Sequence, residues 1–142
     1  MIIDKNLQFY NNPRSNLLLK IMSDSDIKDL FVQWNSALQT KDPKKVSALY
    51  EENGILIPTL SNKVRHNHEE IEDYFTHFLA KGPVGKINES NIRRYDKTAI
   101  HSGLYTFTFE DDTSASARFT FVYRWNGLDW MITEHHSSKL PE

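Results

Sequence analysis

With 142 residues, the chain is long enough to form one domain with its own hydrophobic core. Its 17 basic and 19 acidic side chains leave a formal net charge of −2, which argues against the clustered basic face of a nucleic-acid-binding protein. There is no cysteine, which excludes disulfides and thiolate–zinc sites, and the longest apolar run near the N-terminus is too short for a membrane span or a signal sequence, so a cytoplasmic location is expected.

The first 22 residues differ from the rest of the chain. They carry Lys5, Arg14 and Lys20 against Asp4, a net charge of +2 where the remainder has −4, and their apolar residues follow no sustained period. We interpret residues 1–22 as an N-terminal extension and residues 23–142 as a single domain.

Two helices are predicted next. Ser and Asp residues from Ser23 onward are N-cap candidates for the first helix, and they precede apolar residues at helical spacing. The apolar positions are Ile27, Leu30, Phe31, Trp34 and Leu38. The second helix is predicted to begin at Asp42-Pro43, to bury Val46, Leu49 and Tyr50, and to end at Asn53-Gly54.

A short strand, "ILIPTL", separates the second helix from the third, and its Pro58 places it at a sheet edge or a bulge. The third helix is predicted to begin at the capping pair Asn67 and Glu70 and to end at Gly82-Pro83. Its apolar stripe consists of Ile71, Tyr74, Phe75, Phe78 and Leu79.

The remainder is predicted to be β-structure, because its apolar residues alternate or lie in short runs between turn signals. The predicted strands are "KINESNIRRY", "TAIHSGLYTFTFE", "SARFTFVYRW" and "DWMITEHHSS". Their connections are too short for crossover helices, so the strands must pair mostly antiparallel. The fold class is therefore α+β, with three N-terminal helices on one face of the sheet.

Several segments in this order are similar to a known family. They include "WNSALQTKDPKKVSALY", "LIPTLSNKVR", "IEDYFTHFLAKGPVGKI", "ARFTFVYRWNG" and "WMITEHHSSKLPE". From Ile27 to Glu142 the chain resembles the association (hub) domain of calcium/calmodulin-dependent protein kinase II, and more closely its stand-alone bacterial relatives. That domain belongs to the nuclear transport factor 2-like superfamily, which also contains SnoaL-like and ketosteroid isomerase-like proteins.

The resemblance implies a cone-shaped roll with a strongly curved sheet, assembly into homo-oligomers (dimers or larger rings), and a deep pocket that takes small carboxylates. No kinase domain or calmodulin-binding segment is present, so kinase activity is not carried over. No cofactor, nucleic-acid partner or membrane partner is expected.

The pocket arginines of the hub domain align with Tyr105, Thr120 and Ser137, none of which is arginine in this chain. Arg118 shares a strand face with Thr120 and is a candidate for the missing cation, unless it is a surface arginine in a cross-strand ion pair. In such a fold Arg65, just before the third helix, points toward the mouth of the same cavity.

The cluster "EHHSS" near the C-terminus supplies a further candidate. His135 is expected to share a face with Ser137 and Arg118, with Glu134 and His136 on the opposite face, unless a bulge exchanges them. The predicted ligand site is therefore Arg65, Tyr105, Arg118, Thr120, His135 and Ser137.

The other face of the "SARFTFVYRW" strand carries only aromatic residues. If the helices cover the opposite face, this stripe is exposed in a monomer and predicts an oligomer interface. The stripe consists of Phe119, Phe121, Tyr123 and Trp125.

Two functions remain open at this point. The first is a non-catalytic, hub-like oligomer with a pocket for a small organic anion. The second is a small isomerase or cyclase in which His135 carries a proton and Tyr105 or Arg118 is its electrophilic partner. A metal site is not expected, because adjacent strand residues such as His135 and His136 diverge to opposite faces.

Overall fold

The computed structural model describes residues 23–141, so the predicted extension 1–22 lies outside the described residues. The helices are α1 (Asp24–Gln39), α2 (Pro43–Ser47) and α3 (His68–Phe78), the last followed by a 3₁₀ turn at Leu79–Lys81. The strands are β1 (Tyr50–Ile57), β2 (Val84–Tyr95), β3 (Thr98–Thr108), β4 (Ser114–Trp125) and β5 (Trp130–Lys139).

The predicted helix starts are confirmed at the level of the capping bonds. Ser23 and Asp26 form a capping box at the start of α1, and Asp42 accepts a hydrogen bond from the Lys44 backbone at the start of α2. Asn67 caps α3 by accepting from the backbone N–H of Glu70 at 2.9 Å. These side chains satisfy N–H groups that have no partner within the helix.

The second helix is shorter than predicted. It ends at Ser47, and Tyr50, which was expected on its inner side, begins strand β1 instead. Tyr50 pairs with Ile132 of β5, and the N–H of Ile132 donates to the carbonyl of Leu49 at 2.9 Å. Pairing to the sheet therefore overrides the local helical pattern here, as tertiary contacts often do.

The five strands form one curved sheet in the order β1-β5-β4-β3-β2. All neighbours pair antiparallel except β1 and β5, which run parallel. The predicted α+β class, with three helices on a mostly antiparallel sheet, is thus confirmed. The register shifts at two antiparallel pairs, between Ile87 and Glu89 on β2 and between Val122 and Tyr123 on β4.

The hydrophobic core lies between the helices and one face of the sheet, called here the inner face. Trp34 of α1 is 1% exposed, and its ring centroid lies 5.3 Å from those of both Phe121 and His135. Phe75 of α3 packs edge-on against Trp34 from the other side. The opposite, outer face carries exposed and half-buried residues, and no described helix packs on it.

Candidate functional site

A cavity lies between α1, α3 and the inner face of the sheet. The cavity is narrow, with a volume of only about 20 Å³ open to the centre of a water-sized molecule. Its walls are mostly aromatic and aliphatic. The lining residues are Trp34, Leu56, Pro58, Thr59, Leu60, Tyr74, Phe75, Phe78, Tyr105, Phe107, Phe109, Ala115, Ala117, His135 and Ser137.

His135 lies at the centre of a continuous row of hydrogen bonds along the cavity. It is 2% exposed, and both of its ring nitrogens have a tyrosine hydroxyl as partner. Nδ1 lies 2.8 Å from the Tyr50 hydroxyl, and Nε2 lies 3.2 Å from the Tyr105 hydroxyl. The row runs in the order Trp34, Tyr50, His135, Tyr105, Ser137 and Thr59.

The direction of these hydrogen bonds is set at the Ser137 end. The Tyr105 hydroxyl donates to the Ser137 hydroxyl at 2.7 Å, so it can only accept from His135. The neutral His135 ring therefore carries its hydrogen on Nε2, and its Nδ1 accepts from the Tyr50 hydroxyl. The Tyr50 oxygen in turn accepts from the indole Nε1–H of Trp34 at 3.2 Å.

Burial keeps the whole row uncharged near neutral pH. Desolvation lowers the pKa of His135 to about 3, and the neighbouring His136 adds to this lowering. Desolvation also raises the pKa of Tyr50 and of Tyr105 well above the ordinary tyrosine value. A base with so low a pKa binds a proton weakly at neutral pH, and both of its ring nitrogens already have hydroxyl partners.

The structure brings three of the six predicted ligand residues together: Tyr105, His135 and Ser137 all line the cavity. The bulge opposite Val122 and Tyr123 puts His135 on the same inner face as Ile132, and Glu134 and His136 are exposed on the other side.

Arg65 lies beside the cavity rather than in its wall. It is 7% exposed and lines a wider groove that shares Leu60, Tyr74 and Phe78 with the cavity. Its guanidinium donates to the carbonyls of Lys63 and Glu70, to the Asp73 carboxylate at 2.7 Å and to the Ser61 hydroxyl. These four bonds tie the segment before α3 to that helix.

Arg118 and Thr120 were expected in the pocket, and both lie on the outer face instead. Arg118 is exposed and Thr120 is half-buried. Arg118 pairs with Leu104 on β3, and Thr120 pairs with Ser102. The helices cover the other side of β4, so neither side chain reaches the cavity.

The aromatic stripe of β4 was expected on the exposed face, and that expectation is wrong. Phe119, Phe121 and Tyr123 are at most 2% exposed on the inner face, and Trp125 is half-buried against Trp130. Four aromatic side chains bury far more apolar area against the helices than the polar set of the opposite face would. The predicted interface therefore does not lie on these residues.

The sequence predicts Trp34 and Tyr50 to be core residues and gives no indication of their link to His135. Their spacing within a helical pattern indicates burial, but it carries no signal for a hydrogen bond across 85 positions. Thr59 has no distinguishing pattern in the sequence. Within residues 23–141, no group of three metal-ligating side chains comes together, and no helix is long and apolar enough to cross a membrane.

Known structures resemble this fold closely. A protein from Xanthomonas campestris, assigned as a calcium/calmodulin dependent protein kinase II association domain, is 43% identical and superposes with a TM-score of 0.79, covering 85% of this chain and 91% of that one. An NTF2-like protein with a cystatin-like fold from Novosphingobium aromaticivorans is 15% identical, with a TM-score of 0.72 over 94% of this chain and 92% of that one.

A third structure from Novosphingobium aromaticivorans, assigned as an aromatic ring hydroxylase, is 18% identical, with a TM-score of 0.68 over 82% of this chain and 87% of that one. At this identity it shows a shared fold alone. No curated protein matches the chain. The sequence profile described as "Calcium/calmodulin dependent protein kinase II association domain" matches residues 23–141. The chain therefore belongs to the calcium/calmodulin dependent protein kinase II association domain family.

Proposed function

We propose that this protein is a self-association module, in which copies of the chain pair through the outer face of the sheet. The observation that carries the proposal is the outer face, which no element within residues 23–141 covers, in a domain that belongs to an association-domain family. A two-fold symmetric pair would bury the same patch on both copies, the commonest arrangement in homo-oligomers.

The centre of the outer face has the composition of such a patch. Ile100 and Val122 are half-buried neighbours on β3 and β4, and Leu104 lies further along β3 beside Arg118. Half-buried hydroxyl residues, among them Ser102 and Thr120, surround these apolar side chains. A mixed patch with an apolar centre and a charged rim is typical of protein interfaces.

Within each copy, we propose that the cavity is a small-ligand site. The sequence-based expectation of a carboxylate depended on Arg118, which lies on the outer face, and on Arg65, whose guanidinium is bonded to Asp73. The groove beside the cavity carries His77 and Lys81 in addition to Arg65. An organic anion would therefore place its charged group in this groove rather than inside the cavity.

Native mass spectrometry of the wild-type protein at micromolar concentration tests the self-association. The protomer mass is 16.6 kDa, and we expect the spectrum to show an even multiple of it. A stable pair of this kind would bury on the order of 800 Å² per partner. A spectrum that contains only the protomer would contradict the proposal.

A further inference from the structure

The cavity wall carries no formal charge near neutral pH among the described residues. Its titratable members are His135, Tyr74 and Tyr105, and burial disfavours the charged form of each one. Seven of the lining residues are tryptophan, tyrosine or phenylalanine. A flat apolar molecule would therefore meet ring faces and edges on most sides, an environment that suits another aromatic ring.

The hydrogen-bond row determines what polar group such a molecule can carry. Six groups take part, each contributes one hydrogen, and the five links between them use five hydrogens. The donation from Tyr105 to Ser137 fixes the direction, so the unused hydrogen lies at the far end of the row, on the Thr59 or the Ser137 hydroxyl. Both of these side chains line the cavity. The row thus presents one donor to a ligand, whichever of the two hydroxyls holds the hydrogen.

We infer that the cavity takes an uncharged ligand with a single aromatic ring and one oxygen acceptor, of the aryl ketone class, whose oxygen accepts from the Thr59–Ser137 pair. This inference rests on the proposed small-ligand role of the cavity and defines the chemistry of its ligand. The ring packs among Phe75, Phe78 and Phe107, and the acceptor satisfies the remaining hydroxyl hydrogen.

A carboxylate suits the cavity poorly for the same reasons. It would lose its hydration on entry and would find one hydroxyl donor but no cation in the described wall, whereas buried charges require paired partners. A ligand without any polar atom would leave the hydroxyl hydrogen unpaired, which also costs free energy. The cavity is so narrow that its walls must move apart to admit even one ring, so a ligand with several fused rings would fit poorly.

Three probes of one ring each separate these possibilities. Acetophenone carries the acceptor, α-methylstyrene has the same shape with a methylene group in place of the oxygen, and benzoate carries a charge. Binding is measured by equilibrium dialysis at pH 7.5, and the affinity of each neutral probe is divided by its own partition from water into hexadecane. The division removes the difference in hydrophobicity, so the ratio reports the polar contact alone.

We expect the normalised affinity of acetophenone to exceed that of α-methylstyrene by at least about fivefold, because relative to hexadecane only the ketone gains a hydrogen bond in the cavity. Benzoate should bind at least about tenfold more weakly than acetophenone, because its charge is desolvated without a partner. Ala115→Phe, which adds a ring to the cavity wall, should abolish acetophenone binding. Ala48→Phe makes the same change at an exposed position after α2 and should leave binding unchanged.

Equal normalised affinities for the two neutral probes, or tighter binding of benzoate, would overturn the inference while leaving a ligand site in place. Binding that persists in Ala115→Phe would place the probe outside the cavity and would also overturn it. If none of the probes binds the wild-type protein, the small-ligand role fails together with the inference. The oligomeric state, which native mass spectrometry reports separately, would be unaffected by that result.

Discussion

The neighbours of His135 determine the orientation, the tautomer and the charge state of its side chain. Two tyrosine hydroxyls bond its ring nitrogens, and Phe121 stacks on its ring at a centroid distance of 4.0 Å. The ring is therefore fixed in orientation and in tautomer and is kept neutral by burial. Such a residue contributes to stability in a pH-dependent way even when it performs no chemistry.

The first prediction concerns the stability of the fold at acidic pH. The pKa of His135 is about 3 in the folded protein, and an unfolded chain has the ordinary value of about 6.5. Between these values the unfolded state binds a proton that the folded state does not, so the free energy of unfolding falls as the pH drops from about 6.5 toward 3. His135→Gln keeps a donor and an acceptor but does not titrate, so its stability should fall less over this window.

Urea denaturation of both proteins at pH 7.5, 6.0 and 5.0, at one protomer concentration, measures this difference. His101, whose pKa is lowered to about 4, acts in the same direction but is present in both proteins and cancels. Stability curves that remain parallel from pH 7.5 to 5.0 would show that His135 takes up its proton equally in both states.

A second prediction at this scale concerns Trp34. Its ring contacts Phe121, Phe107 and His135, and its Nε1–H starts the hydrogen-bond row. Trp34→Ala should lower the free energy of unfolding by about 3–5 kcal/mol, as truncation of core aromatics does. Val32→Ala on the same helix, at a position 56% exposed, should change it by no more than about 0.5 kcal/mol. Similar losses in the two variants would mean that the phase assigned to α1 is wrong.

Among the elements, β4 shows where sequence reasoning reaches its limit. Strict alternation predicts which residues share a face, and the structure confirms that Phe119, Phe121 and Tyr123 do. The same alternation does not indicate which of the two strand faces packs against the helices. The resemblance suggested a ligand site at Thr120, so Arg118 was assigned inward with it. Burial of the aromatic set reverses both assignments, since the larger apolar area gains more from contact with the helices.

Bulges are the second feature that the sequence did not define. The register shift between β4 and β5 restores His135 to the inner face, a change of phase that no local signal in "EHHSS" specifies. In contrast, the helix starts were predictable, because Ser23, Asp42 and Asn67 act through bonds to residues two or three positions away.

The bulge in β2 provides a prediction at the scale of the strand. Between Ile87 and Glu89 the register shifts, and the Glu89 carbonyl oxygen comes so near Gly103 on β3 that a Cβ atom there would lie 1.9 Å from it. Gly103→Ala should therefore force the two strands apart and cost about 1–3 kcal/mol or more of unfolding free energy.

Ser102→Ala, one residue earlier and half-buried on the outer face, is the matched control and should cost much less. Thermal unfolding of the two variants beside the wild type gives the comparison. Equal melting temperatures for Gly103→Ala and the wild type would show that the close approach at the bulge relaxes without cost.

At the scale of the whole molecule, the two faces of the sheet differ in how far other described elements cover them. The inner face is covered by α1 and α3, with the cavity between them and the sheet. Burial keeps the hydrogen-bond row around His135 uncharged. The outer face has no described element packed on it, and its apolar centre is flanked by exposed charges such as Arg118 and Glu134. The proposed self-association through this face is supported by this architecture together with membership of the association-domain family.

The central claim is tested most directly by multi-angle light scattering of Val122→Asp beside the wild type. Val122 lies between Ile100 and Glu134 on the outer face, so a carboxylate there would meet its own copy across a two-fold interface. Leu128→Asp, at a turn position 79% exposed, is the control. We predict that the wild type and Leu128→Asp elute as oligomers, and that Val122→Asp elutes as a folded species of lower mass. An unchanged oligomer in Val122→Asp would contradict the account and would place the interface elsewhere on the molecule.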